Sequence, residues 1–267
     1  MRRGLAALAA MAMATGACSV APSTTSATPP ATTTTLTVYA AASLTGAFRD
    51  LAAAYSSQTP GMTITLSFDA SSALRAQIEQ GAPADVFASA DTSNPKVLAD
   101  QGLAASSPTV FAGNTLVVIV PASGSKITSP MDLAAPGVRV VAAGDAVPIT
   151  RYANQLLVKL AAQPGYPADF AARVGANVVS REDNARAVVT RIELGEGDAA
   201  IVYATDARAS SRVRAIDVPS AARVPATYAA VVVKSSRYQA AAAAFLAWIA
   251  SPAGQAILAR YGFLPPP

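Results

Sequence analysis

The chain has 267 residues, 52% hydrophobic, 13% charged and 6% aromatic, which is too apolar for a disordered chain and long enough for one large or two small domains. With no histidine and one cysteine, a Ser-His-Asp triad, a Cys-His pair, a structural zinc site and a disulfide framework are all excluded. The formal charge is +4, or +2 once Arg2 and Arg3 are set aside as part of a leader, and neither value is a nucleic-acid footprint.

Residues 1–17 read as a signal peptide: Arg2 and Arg3 open it, Gly4 to Ala14 are apolar, and Thr15, Gly16 and Ala17 are small. The apolar run is too short to span a bilayer and remain there. Cys18 stands where a bacterial lipoprotein signal places its cysteine, and the segment resembles a lipobox with Thr15 in the usual leucine position. That resemblance implies lipidation at Cys18, and ordinary signal cleavage nearby is the alternative. Residues 18–35 are rich in Thr, Pro and Ser without apolar periodicity, so they read as an extended tether that holds a domain just outside a membrane.

From Leu36 onward, short runs rich in Val, Ile and Thr alternate with helical patterns, the signature of an α/β fold with largely parallel strands. Strands are expected at 36–41, 62–68, 85–90, 114–121, 137–144, 199–204, 213–219 and 227–234. Between them Phe48, Leu51, Ala52 and Tyr55 recur at helical spacing, as do Leu74 and Ile78, and later Val188, Val189 and Ile192. A helix at 238–250 carries Phe245, Trp248 and Ile249 and stops at Pro252, after which a second short helix follows. Fully apolar strands imply burial on both faces. The runs at 114–121 and 227–234 read as paired crossings between two smaller sheets. The expected architecture is therefore a two-lobe fold with a two-strand hinge, lobe 1 from 36–115 and 225–267 and lobe 2 from 116–224.

In such folds ligands sit at the carboxyl ends of strands, where helix amino termini offer free N–H groups. Ser43 follows the first strand and Ser71 the second, each at a helix start, so two like constellations succeed one another. A hydroxyl beside free amides suits an anion, and the alternative is that each serine merely caps its helix.

The blocks "TVYAAASLTGAFRDLA", "SFDASSALRAQIEQGAPADVFASAD", "GNTLVVIVP", "SREDNARAVVTRIELGEGDAAIVYATDA" and "AILARYGF", in this order, resemble the periplasmic molybdate-binding proteins of ABC transporters. The resemblance runs from Leu36 to Phe263 and implies a hinge-closing type II solute-binding fold with two mostly parallel sheets. It also implies a non-enzymatic monomer outside the cytoplasm that takes molybdate, and tungstate with it, to an ABC permease and ATPase without a cofactor. The family holds its tetrahedral oxyanion with hydroxyls and backbone amides rather than cations or direct metal ligation. Carried over position by position, the donors are Ser43, Ser71 with Ser72 beside it, the amide of Ile149 after Pro148, the amide of Ala185 after Asn184, and the phenol of Tyr203. Two departures bear on selectivity: Ile149-Thr150 replaces a smaller pair, so Ile149 narrows the pocket and Thr150 adds a hydroxyl, and Ala185 stands where valine is common.

Donors alone suit molybdate, tungstate or sulfate, which are fully deprotonated near neutral pH, whereas hydrogen phosphate also needs an acceptor. A receptor for sulfate or another oxyanion is thus the near alternative, and a surface adhesion lipoprotein a more distant one. Ser123 and Lys126 match S-x-x-K and raise a serine acyl-transfer enzyme, but they lie in a loop and neither S-D-N nor K-T-G occurs. Asp85, Asp91 and Asp206 read as turn, cap and interlobe residues, and Tyr55, Phe245 and Trp248 as core.

Overall fold

The computed structural model describes residues 33–267; the signal peptide, Cys18 and most of the tether lie outside the described residues. Strand and helix alternate from the start: β1 (Thr34–Ala41), a 3-10 turn (Ala42–Leu44) and α1 (Thr45–Gln58), β2 (Met62–Asp69) and α2 (Ser71–Glu79), β3 (Val86–Ser89) and α3 (Ser93–Asp100). Two strands follow back to back, β4 (Thr109–Asn114) and β5 (Leu116–Pro121), and then β6 (Val140–Ala143), α4 (Pro148–Ala161) and α5 (Phe170–Ala176). The chain continues through β7 (Val178–Glu182), α6 (Ala185–Glu193), β8 (Ala199–Tyr203), α7 (Ala204–Arg208) and β9 (Val213–Ile216). It ends with β10 (Ala226–Val232), α8 (Gln239–Ala250) and α9 (Pro252–Arg260).

The strands form two five-stranded sheets, ordered β2-β1-β3-β10-β4 and β7-β6-β8-β5-β9, and each sheet with its helices makes one lobe of the α/β fold. Alternation drives the first: Leu36, Val38 and Ala40 of β1 are fully buried beneath Phe48 and Leu51 of α1. Burying such a side chain contributes about 1.5–3 kcal/mol relative to leaving it exposed. In the second sheet Val118, Ile119 and Val120 of β5 are buried on both faces, as their unbroken apolar run requires. Tyr55, Phe245 and Trp248 pack as core, with Tyr55 centroids 5.0 Å from Phe245 and 5.3 Å from Trp248.

The structure corrects the strand reading in four places. Thr34 and Thr35 belong to β1 rather than to the tether, because Thr34 pairs with Met62 and donates its N–H to Gly61 O at 2.7 Å. The run at 114–121 is divided at Thr115, with β4 in the first sheet and β5 in the second. The run at 227–234 makes no crossing; β10 lies wholly in the first sheet, antiparallel to β3 and β4, and the chain returns through residues 217–225. Both sheets are mixed: β1 runs parallel to β2 and β3, and β6 to β7 and β8, whereas β5 and β10 run antiparallel to their neighbours. Two strands escaped the sequence pattern. β4 ends in Gly113 and Asn114, and β7 is a partly exposed edge strand carrying Arg181 and Glu182, so neither presents a plain apolar run.

Candidate functional site: a cavity between the lobes

Five strands, from both sheets, release the chain toward one place. Ser43 lies in the 3-10 turn after β1, Ser71 opens α2 after β2, Ile149 is the second residue of α4 after β6, Ala185 opens α6 after β7, and Tyr203 ends β8. All five line a single cavity of about 210 Å³, together with Pro148 and Asn184. Neither Ser72 nor Thr150 lines it. Thr150 turns its hydroxyl back onto the carbonyls of Ala143 (3.0 Å) and Gly144 (2.9 Å), which stitches α4 to the end of β6. Among the described residues no lysine or arginine stands on the wall.

The helix starts leave amides to spare. The first N–H groups of an α-helix have no acceptor within it, and Ser71, Ile149 and Ala185 all occupy that first turn. Asn184 caps α6, but its side chain takes the N–H of Ala187 (3.0 Å) and leaves that of Ala185 free of the cap. The serines do not cap their helices; the residues flanking α1 and α2 are Leu44 and Ala70, without side-chain capping bonds. Ser71 instead accepts one hydrogen bond that leaves its own proton available. The N–H of Ala90 donates to Ser71 Oγ at 3.0 Å.

Ser43 Oγ shares a hydrogen bond with Tyr228 Oη, 3.1 Å away, in which either hydroxyl can donate. Asn114 holds that phenol in place: the N–H of Thr115 donates to Asn114 Oδ1 (2.9 Å), which sets the amide so that Nδ2 donates to Thr205 Oγ1 (2.9 Å) and Tyr228 Oη (3.3 Å). With Tyr228 as the donor, Ser43 keeps its hydroxyl proton for the cavity. Burial holds the Tyr228 phenol well above the ordinary tyrosine range, so the relay keeps its protons.

Tyr203 presents the opposite case. Its hydroxyl is buried and has no hydrogen-bond partner. Burial, reinforced by the neighbouring Tyr228, Tyr152 and Asp206, raises its pKa well above 10 and keeps it a neutral donor. Its ring is wedged between Tyr152 (centroids 6.3 Å apart) and Tyr228 (5.6 Å), which fixes the direction of the phenol. A buried polar group without a partner costs about 1–3 kcal/mol, so this oxygen is the clearest sign that the cavity is shaped for an acceptor.

Asp69 is the wall residue that sequence reasoning missed. Its Oδ1 accepts from the N–H of Ala70 (2.7 Å) and from Asn184 Nδ2 (3.3 Å), so it joins the two lobes across the cavity. Its place at the last position of β2, directly before a helix-start serine, was the available signal. The other acids lie elsewhere. Asp85 accepts from the N–H of Thr37 (2.7 Å), Asp91 accepts from the N–H of Asn94 at the start of α3 (3.0 Å) and meets Arg151 of the other lobe at 3.4 Å, and Asp206 is buried within α7. Ser123 and Lys126 line a different cavity, in the loop after β5 beside Pro121 and Pro136, and share no wall with the five donors.

The molybdate-binding protein ModA of Mycobacterium tuberculosis is 36% identical over 233 residues, covering 86% of this chain and 85% of that protein. The molybdate-binding protein ModA of Haemophilus influenzae is 33% identical over 238 residues, covering 85% and 89%. The solved structure of the Azotobacter vinelandii periplasmic molybdate-binding protein superposes with a TM-score of 0.73 at 27% identity, covering 87% of this chain and all of that one. Residues 36–264 match the family model of bacterial extracellular solute-binding proteins, and the chain belongs to that family.

Proposed function

We propose that this protein captures molybdate, and tungstate with it, between its lobes outside the cytoplasm and delivers the ion to an ABC importer. The observation that carries the reading is the convergence of donors from both lobes, Tyr203 with its unpartnered hydroxyl among them, on a small cavity without a cation. Ser43, Ser71 and Tyr203 each have a hydroxyl proton to give, and the amides of Ser71, Ile149 and Ala185 add backbone N–H groups. Each hydrogen bond to a charged acceptor contributes about 1.5–3 kcal/mol, so a handful of them binds a dianion tightly without a counter-charge.

A fully deprotonated oxyanion accepts every one of these bonds. Hydrogen phosphate would need an acceptor for its proton, which the hydroxyl and amide donors do not offer; the carboxylate on the wall is Asp69, with Oδ1 engaged by Ala70 and Asn184 and Oδ2 open. Ile149 enters the wall with its side chain buried, and the size of the space it leaves sets the choice between molybdate and the smaller sulfate. Relatives of this kind are transport receptors, and the function proposed here has no catalytic step, cofactor or direct protein ligand to the metal. The lobes are taken as 36–115, extended by Thr34 and Thr35 of β1, with 225–267 and as 116–224, the protein as a monomer, and Cys18 as the lipid-anchored residue.

Titration calorimetry on the mature chain tests the reading with molybdate, tungstate, sulfate and phosphate. Tight binding of the first two with weak or absent heat from phosphate is expected. Sulfate binding alone would replace molybdate with sulfate, and silence from all four would overturn the function. Labelling of Ser123 by a penicillin probe would reinstate the acyl-transfer alternative.

A further inference from the structure

Ser43 belongs to two cavities. Behind the turn that carries it lies a second, larger and open recess of about 1190 Å³, which shares Ala42 and Ser43 with the small cavity. Four arginines stand around it: Arg49 of α1 and Arg260 of α9 from the first lobe, Arg186 of α6 and Arg208 of α7 from the second. Arg260 is paired with Asp50 at 3.3 Å. Arg49, Arg186 and Arg208 have no carboxylate within ion-pairing distance among the described residues. Each stands close in the chain or in space to the cavity wall. Arg186 directly follows Ala185, Arg208 ends the helix that begins after Tyr203, and the Arg49 guanidinium lies 5.9 Å from the ring centre of Phe68, the residue before Asp69.

The acidic groups facing the recess do not cancel this charge. Asp50 is taken by Arg260. Asp206 is buried, and burial, against the pull of Arg186, lifts its pKa to about 7, so it carries only part of a charge near neutrality. The recess is a concentrated positive patch on a chain whose formal charge is only +4 in total. The neighbouring cavity has the opposite character, with strong donors and no cation.

We infer that the arginine-lined recess is a capture site for tetrahedral dianions, the first place an oxyanion touches the protein before it passes along Ser43 into the neutral cavity. The inference rests on the function proposed above and supplies what the cavity lacks. Hydrogen bonds to neutral hydroxyls and amides act only at contact distance, whereas a cluster of cations around an open recess draws counter-ions from about a Debye length away. Guanidinium forks match an oxyanion's geometry, and in this open recess they are screened, so they hold the ion briefly and release it to the buried donors. Ser43 forms part of both walls, so the transfer needs no intermediate site.

Kinetics separate this from a purely structural role. The dissociation constant for molybdate comes from calorimetry, the dissociation rate from rapid filtration of labelled molybdate chased with unlabelled ion, and their ratio gives the association rate. In the double variant Arg49→Gln with Arg208→Gln, the association rate at low ionic strength should fall about tenfold, with the dissociation rate unchanged. The difference should vanish in high salt. The pair Arg49→Lys with Arg208→Lys should keep the wild-type rate, and Arg173→Gln, on the exposed face of α5, should have no effect. Equal association rates in the glutamine variant, or a loss that resides in dissociation, would overturn the capture site and leave the proposed function standing. A wild-type protein that takes no molybdate in calorimetry overturns both.

Discussion

Removing one oxygen from Tyr203 should move binding and folding in different directions. In the free protein that hydroxyl is buried without a partner, so Tyr203→Phe discards a group whose burial costs about 1–3 kcal/mol and keeps the ring packed on Tyr152 and Tyr228. Stability of the ligand-free variant should be unchanged or higher, and each kcal/mol regained raises the melting temperature by about 2–4 °C in a domain of this size. Binding should lose one charge-assisted hydrogen bond, about 1.5–3 kcal/mol, which weakens the molybdate dissociation constant by about ten- to over a hundredfold. Thermal unfolding without ligand and titration calorimetry with molybdate read the two effects on the same preparation. A dissociation constant within twofold of wild type, or a free protein that melts several degrees lower, would show that the hydroxyl serves packing and does not face the ion.

Four more outcomes follow from the same geometry. Tyr228→Phe removes a hydroxyl that has both a donor and an acceptor, so in contrast to Tyr203→Phe it should destabilise the free protein by about 1 kcal/mol while also weakening molybdate binding; a variant with unchanged stability would break the relay from Asn114. Asp69→Asn keeps an oxygen for Ala70 and takes a negative charge from the cavity wall, so calorimetry should find molybdate bound about fivefold more tightly, and a tenfold loss would mean that the carboxylate contacts the ligand. Asp206 has its folded pKa raised from 3.8 to about 7, so the folded state keeps a proton that the unfolded state has shed. The Asp206 contribution to stability is then greatest below about pH 4 and is lost as the pH climbs to about 7, by up to about 4 kcal/mol; Asp206→Asn should remove that loss between pH 5 and pH 8 in urea unfolding, and parallel curves would sink the assignment. Arg151→Gln severs the contacts of α4 with Asp91 and Ser93 across the lobes, and because the arginine is 42% exposed it should speed molybdate release only about threefold in the filtration assay, with a hundredfold change contradicting a surface pair.

The α/β alternation and the placement of Ser43 and Ser71 at strand ends were legible because local pattern decides them: an apolar run, then a small or hydroxylated residue, then helical spacing. Ile149, Ala185 and Tyr203 were reached only through the family resemblance, and β7, the strand before Ala185, shows no plain apolar run. What the pattern could not carry is which group faces which. Thr150 resembles a donor beside Ile149, yet its hydroxyl finds the nearer carbonyls of Ala143 and Gly144. Tyr228 sits inside an apolar strand and reads as core; only the folding of β10 next to β4 brings it to Asn114 and to Ser43, 185 residues away in the chain. Asp69 reads as the last residue of a strand until Asn184 arrives from the other lobe. The misread crossing at 227–234 has the same origin, since a strand buried on both faces looks alike whether it spans two sheets or fills the middle of one.

The division of donors between lobes also determines what controls closure. Ser43 and Ser71 come from the first lobe, and Ile149, Ala185 and Tyr203 from the second. Besides the buried Asn114–Thr205 bond at 2.9 Å beside the crossover from β4 to β5, the lobes are joined by Asn184 to Asp69 at 3.3 Å, Tyr152 with Thr227 at 3.4–3.5 Å, and the partly exposed Arg151 to Asp91 at 3.4 Å and to Ser93. An exposed pair such as Arg151–Asp91 contributes about 0–1 kcal/mol, a small term beside a bound dianion's bonds. Turning a population from 1:99 to 99:1 requires a differential affinity of about 5.5 kcal/mol. Three second-lobe donors at about 1.5–3 kcal/mol each supply about 4.5–9, so an oxyanion already seated on the first-lobe serines is enough to close the cleft. A cationic cavity would bind the same ion from one side alone. A cavity of divided neutral donors binds it well only when both lobes are present, which lets a transporter recognise the loaded receptor by its shape.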